Sequence, residues 1–335
     1  MNRPHGLGPD KRALIADAVL AGDGPDAIRT RLVESGCSPA AADYEIKRAH
    51  KDPLFQGALR LRREVAKRDW LLANVRKLES GRKSERLPTI DRIDPARFFE
   101  DFYCSNRPVK LTGLVDHWPA LEKWSLDYLA EMLGNAPVEL QGERESSSNY
   151  ELYKLRHRRM LPMREVVAAI RRFDRTNEFY VTAFNDTTNK HSLAPLWDDL
   201  GPVSILEPSG GRDGFFWMGP KGTLTPLHHD LTNNLLVQVV GRKRVRMIAP
   251  WDLKAVRNHV HCFSELTLED LEGRGPGVPD QLECVIGPGE ALFLPVGWWH
   301  HVEALDVSIS MSFTNFPGDN DFTAGHPEPA QFDPA

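Results

Sequence analysis

Cysteine is scarce in this chain. Cys37, Cys104, Cys262 and Cys284 are scattered through 335 residues with no C-x-x-C pair. That usage excludes a disulfide scaffold and fits a reducing, cytoplasmic setting. No apolar run approaches the length of a membrane span, and Met1-Asn-Arg-Pro-His5 has no apolar signal core, so neither an anchor nor a secretory leader is expected. Long basic runs are missing as well, and the net charge is −5, which argues against a nucleic-acid partner. The short stretch Arg156-His-Arg-Arg159 reads as a solvated face. No Ser/His/Asp or Cys/His nucleophile arrangement stands out, and there is no internal repeat. The length suits one large β domain plus a smaller unit.

The smaller unit comes first. Residues 10–21, 25–34 and 39–50 read as three short helices, separated by Gly22-Asp-Gly24 and Gly36-Cys-Ser-Pro39, with proline near two helix starts. Residues 53–79 form one long helical pattern. Leu54, Ala58, Leu61, Val65, Leu72 and Val75 fall near a heptad seam that Arg68 interrupts. Such a seam needs cover, either from the chain's own barrel or from a second copy in a homodimer. The polar run Glu79-Ser-Gly-Arg-Lys-Ser-Glu-Arg86 marks a linker. The expected organisation is a helical unit over 1–80, a catalytic unit over 88–317 and an irregular tail over 318–335.

Beyond Pro88 the pattern turns to short strands. After a helix over 94–103, Arg107–Gly113 is expected to be the first strand of this unit. Asn234-Leu-Leu-Val-Gln-Val-Val240 alternates amides with β-branched and leucine side chains, so Asn234 and Gln238 need partners inside. Gly241-Arg-Lys243 then turns the chain, and Val245–Pro250 reads as the second strand of a hairpin. Gly287-Pro-Gly-Glu290 precedes another strand and a Pro/Gly corner. In the last strand Ile309, Met311 and Phe313 alternate with Ser308, Ser310 and Ser312. Short strands bounded by Gly/Pro turns indicate an antiparallel double-sheet jelly roll.

Thr225-Pro-Leu-His228-His-Asp230, answered by Trp298-Trp-His300, carries the chemistry. Positions i and i+2 of a strand share a face, so His228 and Asp230 can chelate one ion. A second imidazole, His300, delivered from another strand completes a 2-His-1-carboxylate set. That set leaves one side of the metal open, the arrangement of non-haem Fe(II) oxygenases. The neighbours His229 and His301 fall on the opposite face and read as ordinary histidines of the outer barrel.

With these motifs the stretch from about Pro88 to Pro317 resembles the JmjC/cupin-like Fe(II)- and 2-oxoglutarate-dependent oxygenases. Within that group it is similar to the protein-hydroxylase branch, which holds the asparaginyl hydroxylase inhibiting HIF and the JmjC arginyl hydroxylases. The core of the resemblance runs from Trp217 to Asp230 and on through Ala249-Pro250, and His117-Trp-Pro-Ala120 with Trp124 resembles the entry segment. The resemblance implies a double-stranded β-helix, mainly β with helices, behind the α-helical N-terminal unit. It implies His228, Asp230 and His300 as metal ligands. Lys243, fifteen residues after His228, would pair with the distal carboxylate of 2-oxoglutarate, with Thr225 and Tyr180 beside it. Asn234 and Asn315 would be amides near co-substrate and iron, and Trp217 would line the substrate mouth. A dicarboxylate-binding lysine beside an open face suits Fe(II) better than zinc.

The implied reaction consumes O2 and 2-oxoglutarate, releases succinate and CO2, and hydroxylates a C–H bond on a protein or peptide side chain. Two other classes stay open: an oxygenase of a small metabolite or natural-product intermediate, and a metal-binding cupin without turnover. Histone demethylation is disfavoured because no reader module is seen. Residues 142–150 and 185–191 are expected to be loops that shape the mouth.

Overall fold

The computed structural model describes residues 8–81, 87–147, 149–182, 186–273 and 279–326. Linker residues 82–86, the first seven residues, the start of the 185–191 segment and the tail beyond 326 lie outside the described residues. Two compact units are present, Met1–Glu79 and Ser80–Ala335.

The first unit is helical: α1 (Pro9–Ala21), α2 (Pro25–Glu34), α3 (Pro39–Ala49) and α4 (Pro53–Ser80). Proline opens the first three helices, where its missing N–H costs no bond. The Ser38 hydroxyl accepts from Ala41 N, and Gly22 closes α1 at φ 100°, a left-handed conformation open to glycine. Ile15, Val19, Ile28, Leu32 and Ile46 form the core of this small bundle. By contrast α4 has no buried residue, and Leu54 and Leu61 on its seam are 86% and 61% exposed.

In the second unit the strands are β1 (Thr89–Asp91), β2 (Val109–Thr112), β3 (Pro137–Gln141), β4 (Arg158–Pro162), β5 (Phe215–Gly219), β6 (Leu224–His228) and β7 (Asn234–Val240). The rest are β8 (Lys243–Ile248), β9 (Asn258–Val260), β10 (Phe263–Ser264), β11 (Leu282–Ile286), β12 (Ala291–Leu294), β13 (Trp299–Ala304) and β14 (Ser308–Phe313). Twelve of them build two six-stranded sheets, in the orders β1-β2-β12-β7-β14-β5 and β11-β8-β13-β6-β10-β9, and β3 pairs with β4 in a separate ribbon. This is the jelly roll expected from the strand spacing. Helices cover the outer face of the first sheet. Leu235, Val237, Ile309, Met311 and Phe313 point into that cover, against Phe98, Trp118 and Leu129. The other face of each strand looks into the space between the sheets. There Gln238 Nε2 donates to Ser308 Oγ at 3.1 Å, Ser310 Oγ donates to Gln238 Oε1 at 2.8 Å, and Trp217 Nε1 donates to Ser312 Oγ at 2.8 Å. The alternation read in β7 and β14 is therefore real, but both faces are buried: one is apolar, the other a hydrogen-bonded polar lining.

Four local expectations change. Arg107–Gly113 contains β2 and is not the first strand: β1 precedes it and pairs with it in parallel, Thr89 opposite Lys110, through a helical crossover at Pro95–Tyr103. The β7–β8 hairpin does not exist. β7 pairs with β12 and β14, whereas β8 pairs with β11 and β13. Gly241, at φ 70°, carries the chain from one sheet to the other, because strands buried on both faces are covered by a sheet-to-sheet crossing and not by a two-stranded ribbon. Residues from Asp186 to Ser192 form a helix, not a mouth loop, and Asn189 binds the β3 backbone through Glu139. The basic stretch at 156–159 is not simply solvated. His157 is buried on Gly142 O, and Arg158 and Arg159 pair with Glu139 and Glu143.

Candidate metal centre and co-substrate pocket

β6 and β13 lie side by side in the second sheet, with His300 directly opposite His228. Directly opposed residues of an antiparallel pair point to the same face, so both imidazoles enter the space between the sheets. Asp230 stands just past the end of β6, so its placement comes from the turn and not from strand alternation. Asn234 Nδ2 donates to Asp230 Oδ2 at 3.2 Å and Gly297 N to Asp230 O at 3.3 Å, which fixes that turn. His228 Nε2 lies 3.6 Å from Asp230 Oδ1, and His300 Nε2 lies 3.7 Å from Asp230 Oδ2.

Each ring is aimed by its other nitrogen. His228 Nδ1 donates to Pro226 O at 2.8 Å, and His300 Nδ1 to Trp298 O at 3.0 Å. That tautomer puts the Nε2 lone pairs toward the carboxylate, the orientation found for metal-bound histidine. Electrostatics favour the same state. Burial alone would raise the Asp230 carboxyl, but the His300 and His228 rings and the Asn234 amide hold it below the usual carboxylate range. Burial, reinforced by His228, keeps the His300 imidazole neutral. A carboxylate on Asp230 and a neutral imidazole on His300 are protonation states that ligate a cation.

Thr225 joins this face through a bulge. His300 opposes His228 and Val302 opposes Thr225, so two steps on β13 span three on β6. Pro226, which has no N–H to give a ladder, occupies the irregularity. Without the bulge Thr225 would point out of the lumen. Lys243 opens β8 opposite Ala304, on the same face as His300 and Met247. Its side chain is buried at 3% exposure and its Nζ donates to Tyr180 Oη at 3.1 Å. Burial drags its ammonium down to about 7, and no carboxylate among the described residues pairs with it. A buried amine of this kind lacks a counter-anion. Tyr180 itself is buried, which raises its phenol well above the ordinary value, and its ring centroid lies 5.6 Å from that of Trp217. Trp217 is half-buried beside it. The one side-chain oxygen of Asn234 is buried with no hydrogen bond. Asn315, just beyond β14, donates through Nδ2 to Glu207 O at 2.7 Å, and its Oδ1 is buried without a hydrogen bond.

Two features escaped the sequence reading. Arg144, from the 142–150 segment, is fully buried beneath Tyr150 and Tyr180, its guanidinium 4.3 Å and 5.2 Å from their ring centroids. It donates to Leu224 O at 2.6 Å, while its Nε and Nη1 find no acceptor. An isolated Arg in a charged loop carries no sequence signal for such burial. His301 lies opposite Arg246, off the face that carries His300, as the alternation predicts, but neither it nor His229 is exposed. His301 is buried at 4% exposure, and burial and the nearby Arg246 push it down to about 4, so it stays neutral. His229 is half-buried against the Trp299 ring, with centroids 4.7 Å apart.

Residues 95–317 match the family model of the cupin-like domain. Lysine-specific demethylase 8 of Xenopus tropicalis is 32% identical over 235 residues, 64% of this chain and 49% of that protein. The bifunctional peptidase and (3S)-lysyl hydroxylase JMJD7 of Homo sapiens is 24% identical over 262 residues, 68% of this chain and 83% of that protein. The tRNA wybutosine-synthesizing protein 5 of Danio rerio is 24% identical over 250 residues, 68% of this chain and 74% of that protein. The chain spans about half the length of the demethylase it matches. With most of its length inside the family match and its paired sheets closing on a His/Asp/His centre, the chain belongs to the cupin-like family, in its JmjC group.

Proposed function

We propose that this chain is an Fe(II)- and 2-oxoglutarate-dependent dioxygenase that hydroxylates a C–H bond on a protein or peptide side chain, releasing succinate and CO2. One observation carries the reading: the His228/Asp230/His300 set shares its lumen with the buried Lys243 amine, which donates to Tyr180 and pairs with no carboxylate among the described residues. The donor set fits iron, since its three ligands occupy one side and leave the other open. The pocket fits a dicarboxylate, since Lys243 lacks an anion and Arg144 and Asn234 hold buried polar atoms without partners. Bound iron and 2-oxoglutarate supply the activation of dioxygen. The chain's own residues supply position and exclusion of water. Lys243 and the Tyr180 hydroxyl receive the distal carboxylate, the Thr225 hydroxyl stands on the same face, and Asn234 steadies Asp230. Trp217 lines the entrance. No general base is needed in this scheme.

A macromolecular target is favoured by the helical N-terminal unit with its uncovered seam and by the protein-directed names of the demethylase and lysyl hydroxylase relatives. Demethylation is the second reading, favoured by the 32% identity to the demethylase. The two share one step: hydroxylation of an N-methyl carbon gives a hemiaminal that expels formaldehyde, whereas hydroxylation of a backbone-proximal carbon leaves a stable alcohol. Incubating the full chain with Fe(II), 2-oxoglutarate and peptide arrays, with and without methyl-lysine, separates them by mass. A product heavier by one oxygen supports hydroxylation. Formaldehyde with a lighter peptide supports demethylation. Succinate release stimulated only by a small metabolite or by an RNA would move the substrate class, and no succinate under any condition would leave a metal-binding cupin.

A further inference from the structure

A second group of donors stands next to the triad. His229, Cys262 and His326 bring ligand atoms to within 4.8 Å of one another. They come from three distant stretches: the residue between two triad ligands, the turn between β9 and β10, and the segment after β14. Backbone bonds hold these stretches together. His229 N donates to Cys262 O at 3.0 Å, and Phe322 N donates to Leu231 O at 3.0 Å, which lays the C-terminal segment along the ligand turn. The His229 and His326 rings meet at 5.7 Å and 64°, and His261 packs edge-on against His326 at 5.2 Å. Cys262 is buried at 6% exposure, and the two imidazoles are half-buried. His229 Nδ1 donates to Asp230 O at 3.1 Å, leaving its Nε2 as a lone-pair donor, the same device that aims His228 and His300.

We propose that His229, Cys262 and His326 form a second metal site, for a borderline-soft divalent cation of the zinc class, distinct from the triad. One thiolate and two imidazoles suit zinc, and the lack of carboxylate or carbonyl oxygens in the set disfavours magnesium and calcium. With zinc–sulfur and zinc–nitrogen bonds of ordinary length, tetrahedral donors stand about 3.3–3.6 Å apart, so these three close on the ion by about an ångström, within reach of side-chain torsions. Water or a ligand fills the fourth position. The binding step breaks the Cys262 S–H bond, forms a sulfur–metal bond and releases one proton to solvent. Without metal the buried thiol holds that proton, pushed up to about 12 by burial and by Asp230. The ion would staple the C-terminal segment, beyond the family match at 317, to the turn that carries both His228 and Asp230. The site thereby couples the tail to the geometry of the iron centre.

Cobalt titration tests this in the full-length chain. A thiolate bound to Co(II) gives a near-ultraviolet sulfur-to-metal charge-transfer band, and the triad contains no sulfur, so the band reports the second site alone. The band should saturate by about two equivalents, since the triad also takes cobalt, and disappear when zinc is added. Cys262→Ser and His326→Ala should each abolish it, and His300→Ala should keep it. Zinc should also raise the melting temperature of the wild type by more than that of His326→Ala, which keeps the triad and leaves the barrel core untouched. No band, a band that survives Cys262→Ser, its loss in His300→Ala, or equal zinc stabilisation of His326→Ala would each overturn the site.

Discussion

At the scale of single residues, the triad and Lys243 have separable jobs. His228→Ala and His300→Ala remove one of three ligands and should lose stoichiometric iron and all succinate release, checked by metal analysis beside a turnover assay. Lys243→Ala should keep iron and raise the 2-oxoglutarate requirement about ten- to a hundredfold, the worth of a charge-assisted contact of about 1.5–3 kcal/mol. An unchanged requirement would assign the carboxylate to Arg144. The Lys243 amine also makes a pH prediction. In the empty pocket burial holds it at about 7, and a bound carboxylate favours the ammonium. Above pH 7 binding therefore takes up a proton, and affinity should fall with rising pH by at most about tenfold per unit. Calorimetry in two buffers of different ionisation enthalpy measures the uptake, and affinity flat from pH 7 to 9 would contradict it. Most of this site was legible because metal ligands and the lysine sit at fixed spacings. Arg144 was not, since its burial under Tyr150 and Tyr180 depends on a loop folding over the barrel end.

At the scale of elements, alternation found the strands and glycine found the turns, but neither reports which strand pairs with which. The 234–240 and 243–248 runs look like a hairpin because only Gly241 and Arg242 separate their nearest ends, yet they cross between sheets at Gly241. A Cβ there would meet Val307 O at 2.1 Å, with φ at 70°. Gly241→Ala should therefore cost the left-handed penalty of about 1–2 kcal/mol plus the backbone clash. In a unit of this size that lowers the melting temperature by about 4 °C or more, read by scanning calorimetry. A melting temperature equal to wild type would mean the crossing is not tightly packed. The β6 bulge was equally invisible: only the register of His300 and Val302 shows that Pro226 turns Thr225 inward.

At the scale of the whole molecule, the helical unit supplies none of the candidate site residues. Leu54, Leu61 and Val65 on the seam of α4 are exposed, as are Trp70, Leu71 and Leu78 on its other sides, and so much uncovered apolar surface marks an interaction surface. The full chain is expected to sediment as a dimer, and a truncated chain beginning at Pro88 as a monomer that retains iron and 2-oxoglutarate. A monomeric full-length protein would reserve the seam for substrate recruitment. Heptad spacing made the seam readable, but spacing names no partner. The most direct measurement is isotopic. The full chain, loaded with Fe(II) and given 2-oxoglutarate and a responsive peptide, is run under isotopically heavy dioxygen, and both products are weighed. One labelled oxygen in succinate and one in the hydroxylated peptide is the expected result. Peptide left unlabelled while succinate forms, or 2-oxoglutarate left unconsumed by an iron-loaded protein, would contradict the assignment.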